Sequence, residues 1–121
     1  MITAKLNVGT DVIEVNRFRN KPVNDNNASF YRSIFTQSEL TYCMKYSDPY
    51  PHIAGIFAAK ESIIKCLSKP VKMIDIQIIH NRYGKPMGVV RCSRKNKKAI
   101  KVIISISHTR SLAIATAITN L

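Results

Sequence analysis

The chain has 121 residues, 45% hydrophobic and 21% charged, with nineteen Lys and Arg against seven Asp and Glu, a formal charge of +12. That length suits one domain spanning 1–121, and the composition excludes a disordered, collagen-like or Pro-rich chain. No apolar run approaches a membrane span. Cys43, Cys66 and Cys92 are odd in number with no C-x-x-C, which argues against a disulfide framework or structural zinc and fits a reducing cytoplasm.

Residues 2–8 alternate loosely and predict a strand ending at the Gly9-Thr10-Asp11 turn. Asp11 to Arg19 reads as a strand end plus a short helical turn. A polar loop covers 21–29, and Ser29 is a candidate cap for a helix over 30–34. Thr36-Gln-Ser-Glu39 is a capping box that starts a helix through about Tyr46. SDPYP at 47–51 reads as a breaker. The strongest helical pattern covers 52–67 and closes at Ser68-Lys69-Pro70. Strands are predicted at about 71–79, 86–92, 100–107 and 111–118. Asn81–Gly84 turns between the first two, and a hairpin at His108-Thr109-Arg110 joins the last two. One strand, then helices, then a run of strands is an α+β order with antiparallel pairing. The basic run RKNKK at 94–98 reads as a solvated, self-repelling loop or as an anion contact.

Helix 52–67 carries Ile53, Ile56, Phe57, Ile63, Ile64 and Leu67 on one face and small residues over much of the rest. It reads as buried nearly all round, with a sheet curved about it. Lys60 falls at the centre of the bulky face and Glu61 at its edge. A charge there must be paired or ligated, because burying it alone costs several kcal/mol. Either Lys60 snorkels beside a rim glutamate, or a phosphate ligand stands beside a metal ligand. Asp11, where a strand is expected to end, reads as a turn residue or as the natural partner for Glu61, since two carboxylates plus a phosphorylated substrate make a Mg²⁺ site. Alternation puts Ser105 and Ser107 on one face of their strand and Ile104, Ile106 and His108 on the other. His108 reads equally as a turn histidine or a ligand contact.

Gly9-Thr-Asp11-Val-Ile-Glu14 with Arg17, Phe35-Thr-Gln-Ser-Glu39-Leu, Phe57-Ala-Ala-Lys60-Glu61-Ser with Lys65, Tyr83-Gly-Lys-Pro86 and Ser105-Ile-Ser107-His108-Thr109 occur in this order along the chain. Together they resemble the holo-[acyl-carrier-protein] synthase family of phosphopantetheinyl transferases. The resemblance implies that family's fold, an antiparallel sheet curved around a long buried helix. It also implies transfer of the phosphopantetheine arm of coenzyme A to a serine of an acyl carrier protein, releasing adenosine 3',5'-bisphosphate. Asp11 and Glu61 would hold Mg²⁺, and Lys60 and Lys65 would face the phosphates. Glu61 or a metal-bound water would take the serine proton. His108 and Thr109 would meet the nucleotide end, with His108 reaching a neighbouring subunit's site in a homotrimer. Arg17 would meet the acidic carrier.

The chain departs from that pattern at its nucleotide end. Cys66-Leu-Ser-Lys-Pro70 replaces a Gly-rich turn, and Ile56 stands where many members have an arginine. Ser33 and Gln37 sit where basic residues often face the carrier. Lys69, Lys72 and the 94–98 run are candidates to restore the lost charge. Two other readings compete: a nucleic-acid-binding module, which +12 alone favours, and an inactive family member that binds the carrier. Only 7% aromatic residues, no Trp and no basic reading helix count against the first. The presence of both Asp11 and Glu61 counts against the second.

Overall fold

The computed structural model describes residues 5–91 and 99–120, so the 94–98 run lies outside the described residues. The elements are β1 (Leu6–Glu14), α1 (Asn16–Arg19), α2 (Ala28–Ile34), α3 (Gln37–Met44), α4 (Tyr50–Cys66), β2 (Ile76–His80), β3 (Pro86–Val90), β4 (Ile100–His108) and β5 (Leu112–Asn120). The strands form one antiparallel sheet in the order β1-β5-β4-β3-β2. Helix α4 packs against all five strands, which gives the α+β fold with its sheet around a buried helix.

Local chemistry explains the boundaries. Thr36 accepts the Glu39 N–H and Glu39 Oε1 accepts the Thr36 N–H, closing the capping box before α3. Asn81 Oδ1 accepts from the N–H groups of Tyr83 and Lys85, and Gly84 takes φ +82°, so the β2–β3 turn needs its glycine. At the β4–β5 hairpin, Thr109 Oγ1 accepts from Ser111 and Leu112.

Several boundaries differ from expectation. The first strand does not stop at Gly9-Thr10-Asp11 but runs through it to Glu14, because residues 6–14 pair continuously with β5. Gly9 is needed there for space: a Cβ would lie 2.0 Å from the Ser62 carbonyl oxygen of α4. Pro49 caps α4 and Pro51 lies in its first turn, where the missing N–H costs nothing, so the helix starts inside the expected breaker. Helix α2 begins at Ala28 without a side-chain cap from Ser29. The strand expected from 71 begins at Ile76, after a 3₁₀ turn over Met73–Asp75.

The core is aromatic at one end and aliphatic along the sheet. Phe18 meets Phe35 at 6.0 Å and Phe57 at 5.3 Å between ring centroids, both edge-on. Ile53, Ile56 and Ile63 of α4 are buried with Ala113, Ala115 and Ala117 of β5, whose small side chains let the helix lie close. The opposite sheet face is left apolar and open. Leu6, Val8 and Val12 of β1, Leu112, Ile114 and Ile118 of β5 and Ile103 of β4 are all exposed there. Val8 pairs with Ile118, Val12 with Ile114 and Ile103 with Ile118, so much of the patch is contiguous across three strands.

Candidate functional site

The β1–α4 contact builds the first group of site residues. Gly9 packs on Ser62, and Asp11, two residues on, points to the same side of β1. Lys65 Nζ donates to the Thr10 carbonyl at 2.9 Å and lies 3.2 Å from Asp11 Oδ1. Glu61 is one helical turn before Lys65, on the same stripe of α4. It is half-buried, and among the described residues it forms no ion pair. One more turn back, Phe57 carries the exposed Arg17 guanidinium over its ring at 4.9 Å. Arg17, Glu61, Lys65 and Asp11 thus run along one seam. Among the described residues no set of three or more His, Cys, Asp and Glu could hold a metal. Two hard carboxylates suit a divalent ion that also takes phosphate oxygens and water.

Lys60 does not join this seam, which corrects both readings of it. Its side chain is fully buried and neither snorkels nor reaches a phosphate. The ammonium sits 2.7 Å from Glu39 Oε1 and donates to the carbonyls of Ile34 at 2.5 Å and Met73 at 3.2 Å. Those contacts use all three of its donors. Glu39 also accepts the Ile78 N–H at 2.6 Å, so the pair ties α3, α4 and β2 together. Burial pulls the Lys60 pKa below the ordinary lysine value, and the Glu39 charge opposes the shift.

His108 and Thr109 lie elsewhere, at the end of β4. His108 Cδ2 would be 3.8 Å from a Cβ on Gly55, in the first half of α4. Thr109 holds the hairpin turn. Lys69 follows the other end of α4. From His52 to Lys65 a helix rises about 20 Å, so on one chain the two groups occupy opposite ends of α4.

Two residues that sequence reasoning passed over join His108. His52 stacks on Tyr46 with centroids 3.6 Å apart and meets His108 edge-on at 4.6 Å. His80 stacks on Tyr42 at 3.8 Å. All three histidines of the chain, with Tyr42, Ile56 and Pro86, line a cleft of ≈ 140 Å³. The three come from α4, β2 and β4, and no motif spacing links them.

The 4'-phosphopantetheinyl transferase superfamily model matches residues 7–117. The chain is 42% identical over 118 residues to the holo-[acyl-carrier-protein] synthase of Caldanaerobacter subterraneus subsp. tengcongensis, covering 92% of this chain and 91% of that protein. It is 37% identical over 120 residues to the synthase of Clostridium tetani, covering 93% and 94%. Among solved structures, the Bacillus anthracis synthase in complex with CoA (3',5'-ADP) superposes with a TM-score of 0.72 at 25% identity, covering 93% of each chain. The Helicobacter pylori synthase in complex with coenzyme A gives 0.72 at 26% identity, covering 91% of this chain and 96% of that one. With its motifs, its fold and these likenesses in agreement, the chain belongs to the holo-[acyl-carrier-protein] synthase family of the 4'-phosphopantetheinyl transferase superfamily.

Proposed function

We infer that the protein transfers the 4'-phosphopantetheine arm of coenzyme A to a serine of an apo acyl carrier protein and releases adenosine 3',5'-bisphosphate. The observation that carries this reading is the Lys65–Asp11 contact at the β1–α4 seam, with Glu61 one helical turn before Lys65, in a chain whose relatives are named holo-[acyl-carrier-protein] synthase. Asp11 and Glu61 would hold Mg²⁺, a hard cation suited to their oxygens. When bound, the ion supplies charge neutralisation at the phosphoryl oxygens. Lys65 adds a positive charge beside the same oxygens, and Lys60 is too deeply buried to contribute one. The Glu61 carboxylate is the protein group suited to taking the serine proton, because the neutral hydroxyl is a weak nucleophile. Arg17, held over Phe57, would meet the acidic carrier at the entrance to the seam.

The nucleotide end of coenzyme A would rest against His108 and Thr109 of a second copy, in a homotrimer with three interfacial sites. Two features support that assembly. The exposed apolar face of β1, β5 and β4 is of the kind proteins bury between subunits. The phosphates of one nucleotide also cannot span about 20 Å between the seam and His108 on one chain. No described helix is long and apolar enough to cross a membrane. Free, buried thiols at Cys43 and Cys66 support a cytoplasmic setting, where the carrier of fatty acid biosynthesis is the expected acceptor.

The deciding experiment is incubation with coenzyme A, Mg²⁺ and an apo carrier, followed by intact mass. A gain of one phosphopantetheine on the carrier supports the reading, and an unmodified carrier overturns it.

A further inference from the structure

The β4–β5 turn is held from outside its own hairpin. Ser107 to Leu112 are all exposed on the single chain, so no burial fixes them. The Thr109 bonds set the shape of the turn. Its position is set by two successive backbone oxygens that rest on α1 and the residue before it. The Ser111 carbonyl accepts the Val15 N–H at 2.9 Å, and the Arg110 carbonyl accepts from Arg19 Nη2 at 3.1 Å. Arg19 is fixed in turn by Asp48, in the link between α3 and α4. Nη1 donates to Asp48 Oδ1 at 2.9 Å and Nη2 to Oδ2 at 2.8 Å. These bonds hold the Asp48 carboxyl below the usual carboxylate range. Asp48 Oδ1 also accepts the N–H of Tyr50, the first residue of α4, at 3.4 Å. One guanidinium therefore clasps α1, the start of α4 and the β4–β5 turn. Its planar fork meets both Asp48 oxygens and still reaches the Arg110 carbonyl, which the point charge of a lysine does not reproduce.

We propose that Arg19 is a positioning residue for coenzyme A, which with Asp48 holds the β4–β5 turn so that His108 and Thr109 stand where the nucleotide end docks. This rests on the reading that the nucleotide end meets those two residues. Arg19 and Asp48 act through the turn. Their side chains are 28% and 43% exposed, and ion pairs of that exposure add little to global stability. The local effect is larger, because nothing buried holds the turn once the clasp opens. Charge alone runs the other way. Asp48 lines a ≈ 400 Å³ hollow with His52, His108 and Thr109, and removing a carboxylate beside a polyanion strengthens its binding. Releasing the turn weakens binding, because the loop must then be ordered as the ligand arrives. The sign of the change at Asp48 therefore separates a positioning role from an electrostatic one.

The test is steady-state transfer by the full chain with Mg²⁺, coenzyme A and an apo carrier, beside calorimetric titration with adenosine 3',5'-bisphosphate. Arg19→Lys and Asp48→Ala each raise the KM for coenzyme A and the Kd for the bisphosphate about tenfold, while kcat and the KM for the carrier stay within about twofold of wild type. The double variant Arg19→Lys/Asp48→Ala binds no more weakly than either single one, because both open the same clasp. Amide exchange at Val15, Thr109 and Leu112 quickens in both single variants, and melting temperatures stay close to wild type. Tighter bisphosphate binding in Asp48→Ala, or a wild-type KM for coenzyme A in Arg19→Lys, overturns the positioning role and leaves the transferase reading intact. A wild-type protein that leaves the carrier unmodified overturns both. Melting curves of each variant establish that it is folded before titration.

Discussion

Lys60 and Glu39 are fully buried with their charges 2.7 Å apart, while Glu61, the next residue along α4, faces the seam where Asp11 and Lys65 meet. Adjacent positions on a helix differ by about 100°, so one residue can anchor the helix while its neighbour is presented to solvent. The anchored residue therefore serves Glu61 by fixing the register of α4.

Lys60→Met leaves Glu39 as a buried, uncompensated carboxylate and costs about 3–5 kcal/mol of stability. Adding Glu39→Gln recovers part of that loss, since an amide needs no counter-charge. Denaturant unfolding of both variants measures this. In the fraction that folds, the KM for coenzyme A stays within about twofold of wild type, because Lys60 has no free donor for a phosphate.

Asp11→Asn and Glu61→Gln each lower transfer by about 100-fold or more, with melting temperatures close to wild type. Both carboxylates are only partly buried, so activity and stability separate. Mass gain on the carrier reads the first and a thermal scan the second. Wild-type turnover in either variant removes that residue from the site.

Val12→Lys or Ile114→Lys places a charge on the apolar sheet face, where the two residues are cross-strand partners. In the proposed homotrimer either change would split the assembly into single chains, which light scattering after size exclusion would detect as a threefold fall in mass. Transfer falls with it, because the seam and His108 then stay about 20 Å apart.

Acid weakens the ligand-free fold through His52 and His80. Both titrate below the ordinary histidine value when folded. Between that lowered value and about pH 6.5 the unfolded chain carries more protons than the folded one. Stability is full above about pH 6.5 and falls as pH drops through this window. Melting temperature against pH shows a slope that His52→Gln/His80→Gln flattens.

Patterns within a few residues were legible from sequence alone. Thr36 and Glu39 announced α3, Asn81 and Gly84 announced the β2–β3 turn, and the spacing of apolar and small residues in 52–67 announced a helix enclosed by a sheet. These depend on local hydrogen bonds and on periodicity, which neighbouring residues carry between them. Asp11 and Glu61 stood out as carboxylates in short motifs, and Lys65 was named through the family resemblance those motifs carry. The tertiary structure decided what depends on distant partners. Strand β1 passes through Asp11 because β5, about a hundred residues later, supplies its hydrogen bonds. Lys60 is structural because Glu39, from another helix, lies beside it, and a helical wheel contains only one helix. His52, His80 and His108 meet because α4, β2 and β4 converge at one end of the sheet. A long-range contact is set by packing of the whole core, and no short stretch of this chain encodes it by itself.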